Sequence, residues 1–400
     1  MQAEFNMNNK KLGRDVMAFV EQHAVLAPEQ FGSRKNHQSV HAALNKRLTM
    51  DLLRQLRQAG ALCSNDAKSC YDRIVHCIVA IALRRLGMAA APVQSMLATL
   101  QKAKHHVSTA FGISAKTYGS RRNPPLQGIG QRNGAGPAIW AVISTVVIAV
   151  MATHGHGFNI LSALSLSLVS FVCYAFVDDT DVIHSASSTA VAGEEVIEEM
   201  QVILDRWGGV LRATGGALVP KKSYWCAIDF RWTGAKWVCR TINDMPGDIL
   251  ITGVDGERVI LQRYEADVGQ ETLGVMQAMD GNNKDEIIRL RKKADKFAES
   301  MRTGFLSKND AWHALTATIM KTMECPMATT TMLEKEWNYI MTPILRSGLP
   351  RAGMDRNFPR DILYGPKCLQ GFGIMHPCFH QELTHLKDCI KETHNGGITG

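Results

Sequence analysis

The chain has 400 residues, of which 46% are apolar and 20% are charged. This composition is typical of a globular protein and excludes an extended disordered chain. The length allows two or three domains, each with its own core. The formal net charge of +8 favours a polyanionic partner such as nucleic acid.

Cysteine usage gives a prediction about the compartment. The ten cysteines include no C-x-x-C pair, which excludes a zinc ribbon and a dithiol redox motif, and the pattern predicts reduced, buried thiols in an intracellular protein. One group near the C-terminus, formed by Cys378, His380, His385 and Cys389, could be interpreted as a zinc site. Its spacing matches no usual zinc motif, however, and Leu383 and Leu386 favour an ordinary amphipathic helix.

No membrane anchor is predicted. The first residues, MQAEFNMNNKKLGRD, contain no apolar segment of the kind found in secretory signals. The two apolar runs at 138–152 and 160–177 could be interpreted as a membrane hairpin, but both lie near or under the minimum spanning length and serines interrupt the second. We therefore expect two buried helices and no membrane partner.

Hydrophobic spacing and turn signals predict the other elements in chain order. The sequence predicts helices at 16–28 and 37–58, a strand at 61–66, a helix at 74–88, a hairpin formed by FVCYAFV and DVIHSA, a helix at 194–216, a hairpin at 223–240, and a basic helical region from about 285.

Four aspartates stand out because of where the predicted elements place them. Asp178 and Asp179 lie in the hairpin turn that follows an uncharged stretch, where adjacent carboxylates are costly unless a cation or proton neutralises them. Asp66 ends a predicted strand, and Asp72 lies at the start of a helix, which it is expected to cap. Carboxylates from separate elements are what a two-metal phosphoryl-transfer site requires.

Three segments in order resemble the palm motifs of reverse transcriptases, particularly those of non-LTR retrotransposons and related retroelements. They are DAKSCYD (66–72), LQGIGQRNGAGPAIW (126–140) and FVDD (176–179). Further segments resemble the fingers-to-palm connection, the lysine-bearing motif, the primer grip and the region after the thumb: EQFGSRKNHQSVHAAL (29–44), GGALVPKKS (215–223), TLGV (272–275) and NFPRDILYGPKCLQGFGI (357–374).

The resemblance implies an α+β fold with a right-hand polymerase palm built on an antiparallel sheet. Partial fingers would occupy 1–60, the palm 61–280, and a helical thumb with a C-terminal extension 281–400. The implied activity is RNA-directed DNA polymerisation with two Mg²⁺ ions, for which Mn²⁺ could substitute. The implied partners are an RNA or DNA template with its primer, and dNTPs.

The resemblance also implies roles for individual residues. Asp66 and Asp178 would be metal ligands, with the carbonyl of Ala67 as a further ligand and Asp179 as the adjoining catalytic acid. The residues implied to contact the nucleotide are Tyr71 at the 2′ position, Gln131 near the nascent base pair, and Lys221 or Lys222 at the leaving pyrophosphate. In the helix at 287–297, the inner apolar stripe is predicted to be Ile287, Leu290, Ala294 and Phe297. Four basic residues would then point outward, toward duplex phosphates or solvent: Arg289, Lys292, Lys293 and Lys296.

Two departures from the family pattern affect these expectations. Arg132 follows Gln131 where related enzymes usually have Gly. The basic fingers strand that normally clamps the triphosphate is missing, and Arg34 and Lys35 are the remaining candidates for this clamp. We therefore expect an N-terminally truncated chain that binds primer–template and extends it poorly or not at all.

Two other functions stay open at this stage. An RNA-dependent RNA polymerase also uses a D-x4–5-D motif and a D-D turn, but FVDD replaces its usual G-D-D and the middle motif lacks its Ser/Thr–Asn pattern. A catalytically inactive nucleic-acid-binding remnant of a retroelement is compatible with the apparent truncation.

Overall fold

The computed structural model describes residues 3–117, 125–162, 166–395 and 398–399. The chain forms two compact units: the first contains Met1–Ser39 and Leu56–Tyr264, and the second contains Val40–Gln55 and Glu265–Gly400. The sequence predicted fingers over 1–60 and a palm ending at 280, so the compact units divide the chain at other positions. The helix at 40–55 belongs to the second unit because Lys46 Nζ donates to Thr272 Oγ1 at 2.7 Å and Gln277 Nε2 donates to the Ala43 carbonyl at 2.9 Å.

Three helices lie close to the predicted ranges 37–58, 74–88 and 194–216, but the helix predicted at 16–28 ends at Gln22 and a helix at 90–102 was not predicted. Thirteen α-helices form in the described residues. They are α1 (Ala3–Gln22), α2 (Ser39–Leu56), α3 (Cys70–Arg73), α4 (His76–Arg85), α5 (Ala90–Lys102), α6 (Gly136–Ala152), α7 (Gly193–Ala213), α8 (Lys284–Thr303), α9 (Lys308–His313), α10 (Met320–Glu324), α11 (Glu334–Arg351), α12 (Arg360–Tyr364) and α13 (Pro377–Asn395). Short 3₁₀ turns span Pro220–Lys222 and Lys367–Leu369, and a π-helical segment spans Ala314–Ile319.

The strands are short. They are β1 (Gly60–Asp66), β2 (Ser108–Thr109), β3 (Gly112–Ile113), β4 (Phe158–Leu161), β5 (Leu168–Phe171), β6 (Cys173–Phe176), β7 (Asp179–Ser185), β8 (Tyr224–Ile228), β9 (Phe230–Trp232), β10 (Trp237–Cys239), β11 (Leu250–Thr252), β12 (Arg258–Ile260), β13 (Gln262–Tyr264), β14 (Gln270–Thr272) and β15 (Val275–Gln277).

A five-stranded sheet organises the first unit in the order β13-β8-β1-β7-β6, and its pairs are antiparallel except β13 with β8. β1 is the central strand and is almost entirely buried, which explains its apolar sequence GALCSND. The apolar stripe of α7 is buried in the core of this unit, as the 3.6-residue period requires: Val196, Met200, Ile203 and Trp207. The first unit is therefore a mixed helix-and-sheet structure.

The expectation of two buried helices in the long uncharged stretch is half wrong. The first run forms α6, a buried helix, but the second run forms the strands β4, β5 and β6. Leu161, Leu166 and Leu168 are 60%, 73% and 67% exposed, so the described positions of this run do not form a buried helical face. Positions 163–165 of the predicted helix lie outside the described residues. Within the described part of the chain, each helix falls short of the length or the apolarity that crossing a bilayer requires.

The second unit is mainly helical and has its own apolar core. The inner stripe of α8 is confirmed, since Leu290 and Ala294 are buried and Ile287 and Phe297 pack against the same core. The TLGV segment forms the tight turn between β14 and β15, with Leu273 at φ 50° and Gly274 at φ 91°. This turn belongs to the second unit, although the sequence placed it at the end of the palm.

Only part of the prediction of buried thiols holds. Cys63, Cys70, Cys173 and Cys226 are buried, whereas the others are partly or fully exposed. The four-residue group at the C-terminus lies on α13. Among the described residues no three His, Cys, Asp or Glu side chains are placed to hold a metal ion together, so the zinc interpretation has no support.

Candidate active site

The two adjacent acids lie at the tip of the β6–β7 hairpin, as predicted. Val177 and Asp178 form the turn, and Asp179 is the first residue of β7. Val177 has φ 60°, a conformation that a β-branched residue adopts only when its surroundings impose it. The indole Nε1 of Trp140 on α6 donates to the Val177 carbonyl at 2.5 Å. The turn that carries Asp178 is therefore held in a strained shape.

The sheet register brings the upstream acid to the same place. Asp66, the last residue of β1, lies directly opposite Asp179 of β7. The Cβ atoms of such antiparallel partners are about 4.5–5.5 Å apart. Ala67 N–H donates to the Asp178 carbonyl at 3.4 Å. Acids that are distant in the sequence thus meet at one end of the sheet.

These carboxylates affect one another electrostatically. Burial raises the pKa of Asp179 to about 6, and the neighbouring charges of Asp178, Asp181 and Asp66 add to this effect. Lys222 opposes the increase in pKa. A cluster of like charges at the edge of a sheet is stable only with protons or cations nearby.

A lysine provides one such cation. Lys222 Nζ lies 2.6 Å from Asp66 Oδ2, and this hydrogen bond raises the pKa of the lysine. The segment that carries it is fixed by Val219 N–H, which donates to the Asp66 carbonyl at 3.1 Å, and by Lys68 N–H, which donates to the Ala217 carbonyl at 2.8 Å. The structure therefore distinguishes Lys222, which contacts the acids, from Lys221.

An open cleft of about 850 Å³ lies over these acids. It is lined by Asp66, Lys68, Ser69, Cys70, Tyr71, Gln131, Arg132, Asp178, Leu218, Val219, Pro220, Lys221, Lys222, Gly253, Val254, Asp255 and Val259. Most of the residues that the sequence singled out for metal and nucleotide binding are in this set. The cleft is large enough for a nucleotide, since ligand pockets commonly have volumes of about 300–1,000 Å³.

Tyr71 forms part of the cleft wall and is half-buried. A Cβ added at Gly136 would lie 3.3 Å from Tyr71 Cδ1, so this glycine leaves room for the ring. Burial raises the pKa of Tyr71 to about 12, with further contributions from Cys70 and Asp178. The tyrosine is therefore a neutral, aromatic wall beside the acids.

The loop of the middle motif (126–140) is hydrogen-bonded to α3, the helix that carries Tyr71. Ile129 N–H donates to the Tyr71 carbonyl at 2.8 Å, and Gln131 N–H donates to Asp72 Oδ1 at 3.2 Å. The prediction that Asp72 caps its helix is wrong, because it lies within α3 and its carboxylate binds this loop instead. Gly128 has φ 89° and its missing Cβ lies against the Asp72 carbonyl. Arg132, which stands where the resemblance implies Gly, has φ 66°.

The two candidates for the triphosphate clamp differ. The guanidinium of Arg34 binds Glu21 at 3.0 and 3.1 Å and also donates to the carbonyls of Ala27 and Gln30. Its side chain is 12% exposed, so it stabilises the loop after α1 and does not present a free charge. Lys35 is exposed. The expectation for Arg34 is therefore not supported by its contacts.

The basic helix α8 is also only partly as expected. Lys292, Lys293 and Lys296 are exposed, as predicted. Arg289 instead binds the buried carboxylate of Glu286 at 2.7 and 2.8 Å. A buried carboxylate requires a counter-charge, so Arg289 has a structural role within the second unit and does not point outward as a phosphate ligand.

The donor set in the cleft suits a hard divalent cation. Carboxylate and carbonyl oxygens are the ligands that Mg²⁺ prefers, and a catalytic Mg²⁺ typically takes only one or two carboxylates from the protein. Asp66 and Asp178 line the cleft and provide such oxygens, whereas Ala67 is buried and is not among the lining residues. Among the described residues three His, Cys, Asp or Glu side chains nowhere converge, and Asp66 is turned toward Lys222. The described carboxylates therefore do not by themselves form a metal-binding cluster.

Several contacts of the site were not predicted from the sequence. Trp140 donates a hydrogen bond to the hairpin turn, Asp72 accepts one from the loop at Gln131, and Glu21 forms an ion pair with Arg34. Each acts through a contact between positions far apart in the chain, and spacing along the sequence carries no signal for such contacts.

Comparisons with known proteins give distant structural similarity only. No protein-family model and no curated protein matches the chain. Similar solved structures include telomerase from Candida albicans in complex with a TWJ fragment of telomeric RNA, with a TM-score of 0.38, 10% identity, and coverage of 95% of this chain and 58% of that one. Apo telomerase from Candida tropicalis has a TM-score of 0.38 and 10% identity, with 94% and 57% covered. The chain thus spans less than two thirds of either telomerase chain.

Proposed function

We propose that the chain is an RNA-directed DNA polymerase of the reverse transcriptase class, which adds deoxynucleotides to a primer under the direction of a template. One observation carries the proposal: Asp66 and Asp178, from separate elements of one sheet, line a single cleft together with Tyr71, Gln131 and Lys222. Positioned carboxylates and a nearby cation are what phosphoryl transfer requires, because this chemistry depends on positioning and charge stabilisation.

The proposed subdomains follow from the two units. We assign the central sheet of the first unit, with α6 and α7, to a polymerase palm, because its acids lie at strand ends around a hairpin turn. The helical second unit is proposed as the thumb, and the exposed Lys292, Lys293 and Lys296 of α8 would contact phosphates of the duplex.

The residues proposed to hold divalent ions are Asp66, Asp178 and the carbonyl of Ala67, with Asp179 adding negative charge. Two Mg²⁺ ions, or Mn²⁺, would supply Lewis-acid activation of the primer hydroxyl and neutralisation of the triphosphate. For this to happen Lys222 must leave Asp66, and the freed ammonium can then serve the triphosphate.

In the proposed reaction the primer 3′ oxygen forms a bond to the α-phosphorus of the dNTP. The bond from this phosphorus to the β-phosphate bridging oxygen breaks, the 3′-hydroxyl proton leaves to water, and pyrophosphate departs. Lys222 stabilises the charge that develops on the leaving group, an effect that commonly supplies orders of magnitude in rate. Tyr71 presents its ring where the 2′ position would lie and disfavours ribonucleotides.

Primer extension on matched RNA and DNA templates tests the proposal, with dNTPs or rNTPs offered in turn and with Mg²⁺ or Mn²⁺. We expect metal-dependent extension with dNTPs, weak with Mg²⁺ and improved by Mn²⁺. The substitution Asp178→Asn should abolish it and leave template binding nearly intact, because it removes charge at the metal site and spares the phosphate-contacting surface.

Two outcomes would contradict the proposal, and a further one would show that the Asp178→Asn variant cannot test it. Equal loss of extension and binding in Asp178→Asn would indicate misfolding. Extension with rNTPs alone would point to an RNA-dependent RNA polymerase. Salt-sensitive template binding without extension under either metal would identify a catalytically inactive nucleic-acid-binding protein.

A further inference from the structure

The last helix of the second unit, α13, has its polar side turned toward the protein. Gln381 is 3% exposed, and its side-chain amide accepts from Met332 N–H at 3.0 Å and donates to the Met332 carbonyl at 3.1 Å. Trp337 Nε1 donates to the same Gln381 oxygen at 3.2 Å. His385 Nε2 lies 2.7 Å from the Met327 carbonyl. Hydrogen bonds, rather than apolar packing, therefore attach this helix to the unit.

The apolar side of α13 faces outward. Phe379, Leu383, Leu386 and Ile390 are 63%, 49%, 56% and 62% exposed. They follow one another at intervals of four, three and four residues, so they form one stripe about 16 Å long at a rise of 1.5 Å per residue. The sequence correctly predicted an amphipathic helix here, but such a helix normally buries its apolar side. An exposed stripe of this kind is typical of a surface that binds another protein.

A second feature adjoins the stripe. Phe379 and Leu383 line a cleft of about 850 Å³ whose other apolar residues include Leu345 and Ile374. The fold brings this cleft together from α11, the segment 356–365, the segment 374–376 and the start of α13. The apolar stripe therefore leads into a concave surface and does not end on a flat one.

The cleft is basic. Arg346, Arg356 and Arg360 line it, against the two carboxylates Glu334 and Asp361. Within the described residues the structure shows no ion pair for any of the three arginines, and Arg360 donates only to backbone carbonyls. Three guanidinium groups at the edge of an apolar groove are suited to carboxylates, which they bind in bidentate fashion.

We infer that the stripe on α13 and the arginine-lined cleft together form a docking site for an acidic amphipathic helix of a partner protein. The apolar residues of that helix, spaced three and four apart, would cover Phe379, Leu383, Leu386 and Ile390. Its carboxylates would pair with Arg346, Arg356 and Arg360. This is the helix-in-groove mode of recognition, in which apolar anchors give affinity and flanking charges select the partner.

Charge distinguishes this occupant from two others. A second copy of the chain, which carries a net charge of +8, would bring the same arginines toward each other in a symmetric contact, and like charges that face each other cost free energy. A nucleic acid strand would satisfy the arginines, but it would leave the aliphatic Leu383, Leu386 and Ile390 without an apolar partner.

A displayed library of 20-residue helical peptides of acidic, neutral and basic composition tests the proposal, with the full chain as bait. We expect the enriched peptides to be acidic and to carry apolar residues at three- and four-residue spacing. Their Kd, measured by fluorescence anisotropy, should increase at least tenfold in Leu386→Glu and in Arg356→Glu. Phe305→Glu and Arg302→Glu are the matched controls, because Phe305 and Arg302 are also exposed in the second unit but do not line the cleft.

All substituted side chains are exposed, so unchanged circular dichroism and unchanged thermal unfolding should show that each variant is folded. The proposal is overturned if no peptide is enriched, or if the enriched peptides bind the control and test variants alike. It is also overturned if the chain forms a concentration-dependent dimer that Leu386→Glu abolishes, because the occupant is then a second copy. The same holds if a 20-nucleotide single-stranded RNA binds the chain, this binding is lost in Arg356→Glu, and no peptide displaces the RNA.

Discussion

The ammonium of Lys222 lies 2.6 Å from a carboxylate oxygen of Asp66, on a segment that is itself hydrogen-bonded to the end of β1. A lysine on a turn after α7 is thus directed at the acid that ends the central strand. The contact places positive charge next to three carboxylates, and it joins the two functions proposed for these segments: metal binding by the acids and neutralisation of the leaving group by the lysine.

The first prediction concerns Lys222→Met. The extension rate should fall about 10²-fold or more, because an oriented cation is lost from the leaving group. Mg²⁺ should bind more tightly to the free protein, because the ammonium no longer competes for Asp66. Single-turnover extension and calorimetric Mg²⁺ titration measure these two effects. Lys221→Met is the matched control, and an equal loss of rate in that variant would assign the role to general basicity of the turn.

The second prediction concerns pH. Burial and the neighbouring carboxylates raise the pKa of Asp179 to about 6, compared with about 3.9 in an unfolded chain. The native state therefore binds the Asp179 proton more tightly than the unfolded chain does. The contribution of protonated Asp179 to the free energy of unfolding is complete below about pH 3.9 and is lost as the pH rises through about 6. A bound divalent ion favours the ionised carboxylate and should release the proton.

Mg²⁺ titrations at about pH 5, 6 and 7, in buffers of different ionisation enthalpy, measure this proton release. We expect the Mg²⁺ affinity to rise with pH over this range and proton release to be greatest at the acidic end. Asp179→Asn should remove most of the proton release. The same release in that variant would show that another group is the source of the proton.

The third prediction concerns Tyr71. Replacement by Ala should increase the incorporation of rNTPs relative to dNTPs, because it removes the ring from the cleft wall. Tyr71→Phe retains the ring and should keep the wild-type preference. Competition between dNTPs and rNTPs in primer extension measures the ratio. If Tyr71→Ala and Tyr71→Phe changed the ratio equally, the phenol oxygen rather than the ring would determine selectivity.

The sequence predicted β1, the β6–β7 hairpin and α7 because apolar runs of the right length ended at acids, turns or glycines. It predicted the wrong element for 160–177, since periodicity does not separate short buried strands from helix segments. The sequence also could not show which basic side chains form ion pairs within the protein and which can bind phosphates. Arg34 and Arg289 have the same side chain as a phosphate ligand, and only the positions of Glu21 and Glu286 show that their charges are used internally.

The same limit applies to α13. Its spacing identified an amphipathic helix, but the direction of the apolar side depends on what the polar side can bind. Gln381 and His385 find backbone carbonyls and an N–H group in the segment 327–332. These hydrogen bonds orient the helix with its leucines outward.

The fourth prediction concerns the backbone of the middle loop. Arg132 has φ 66°, a conformation that costs a residue with a Cβ roughly 1–2 kcal/mol. Arg132→Gly removes this cost but increases the entropy of the unfolded chain, so we expect a net stabilisation of about 0.5–1 kcal/mol. Gly128→Ala is the opposite test: Gly128 has φ 89°, and an added Cβ would lie 2.9 Å from the Asp72 carbonyl oxygen, so this variant should be destabilised. Urea unfolding measures both changes.

Primer extension by Arg132→Gly should remain within a few-fold of the wild type, because Asp66, Asp178 and Lys222 are unchanged. A loss of stability in Arg132→Gly would mean that the Arg132 side chain makes a stabilising interaction that outweighs its backbone strain.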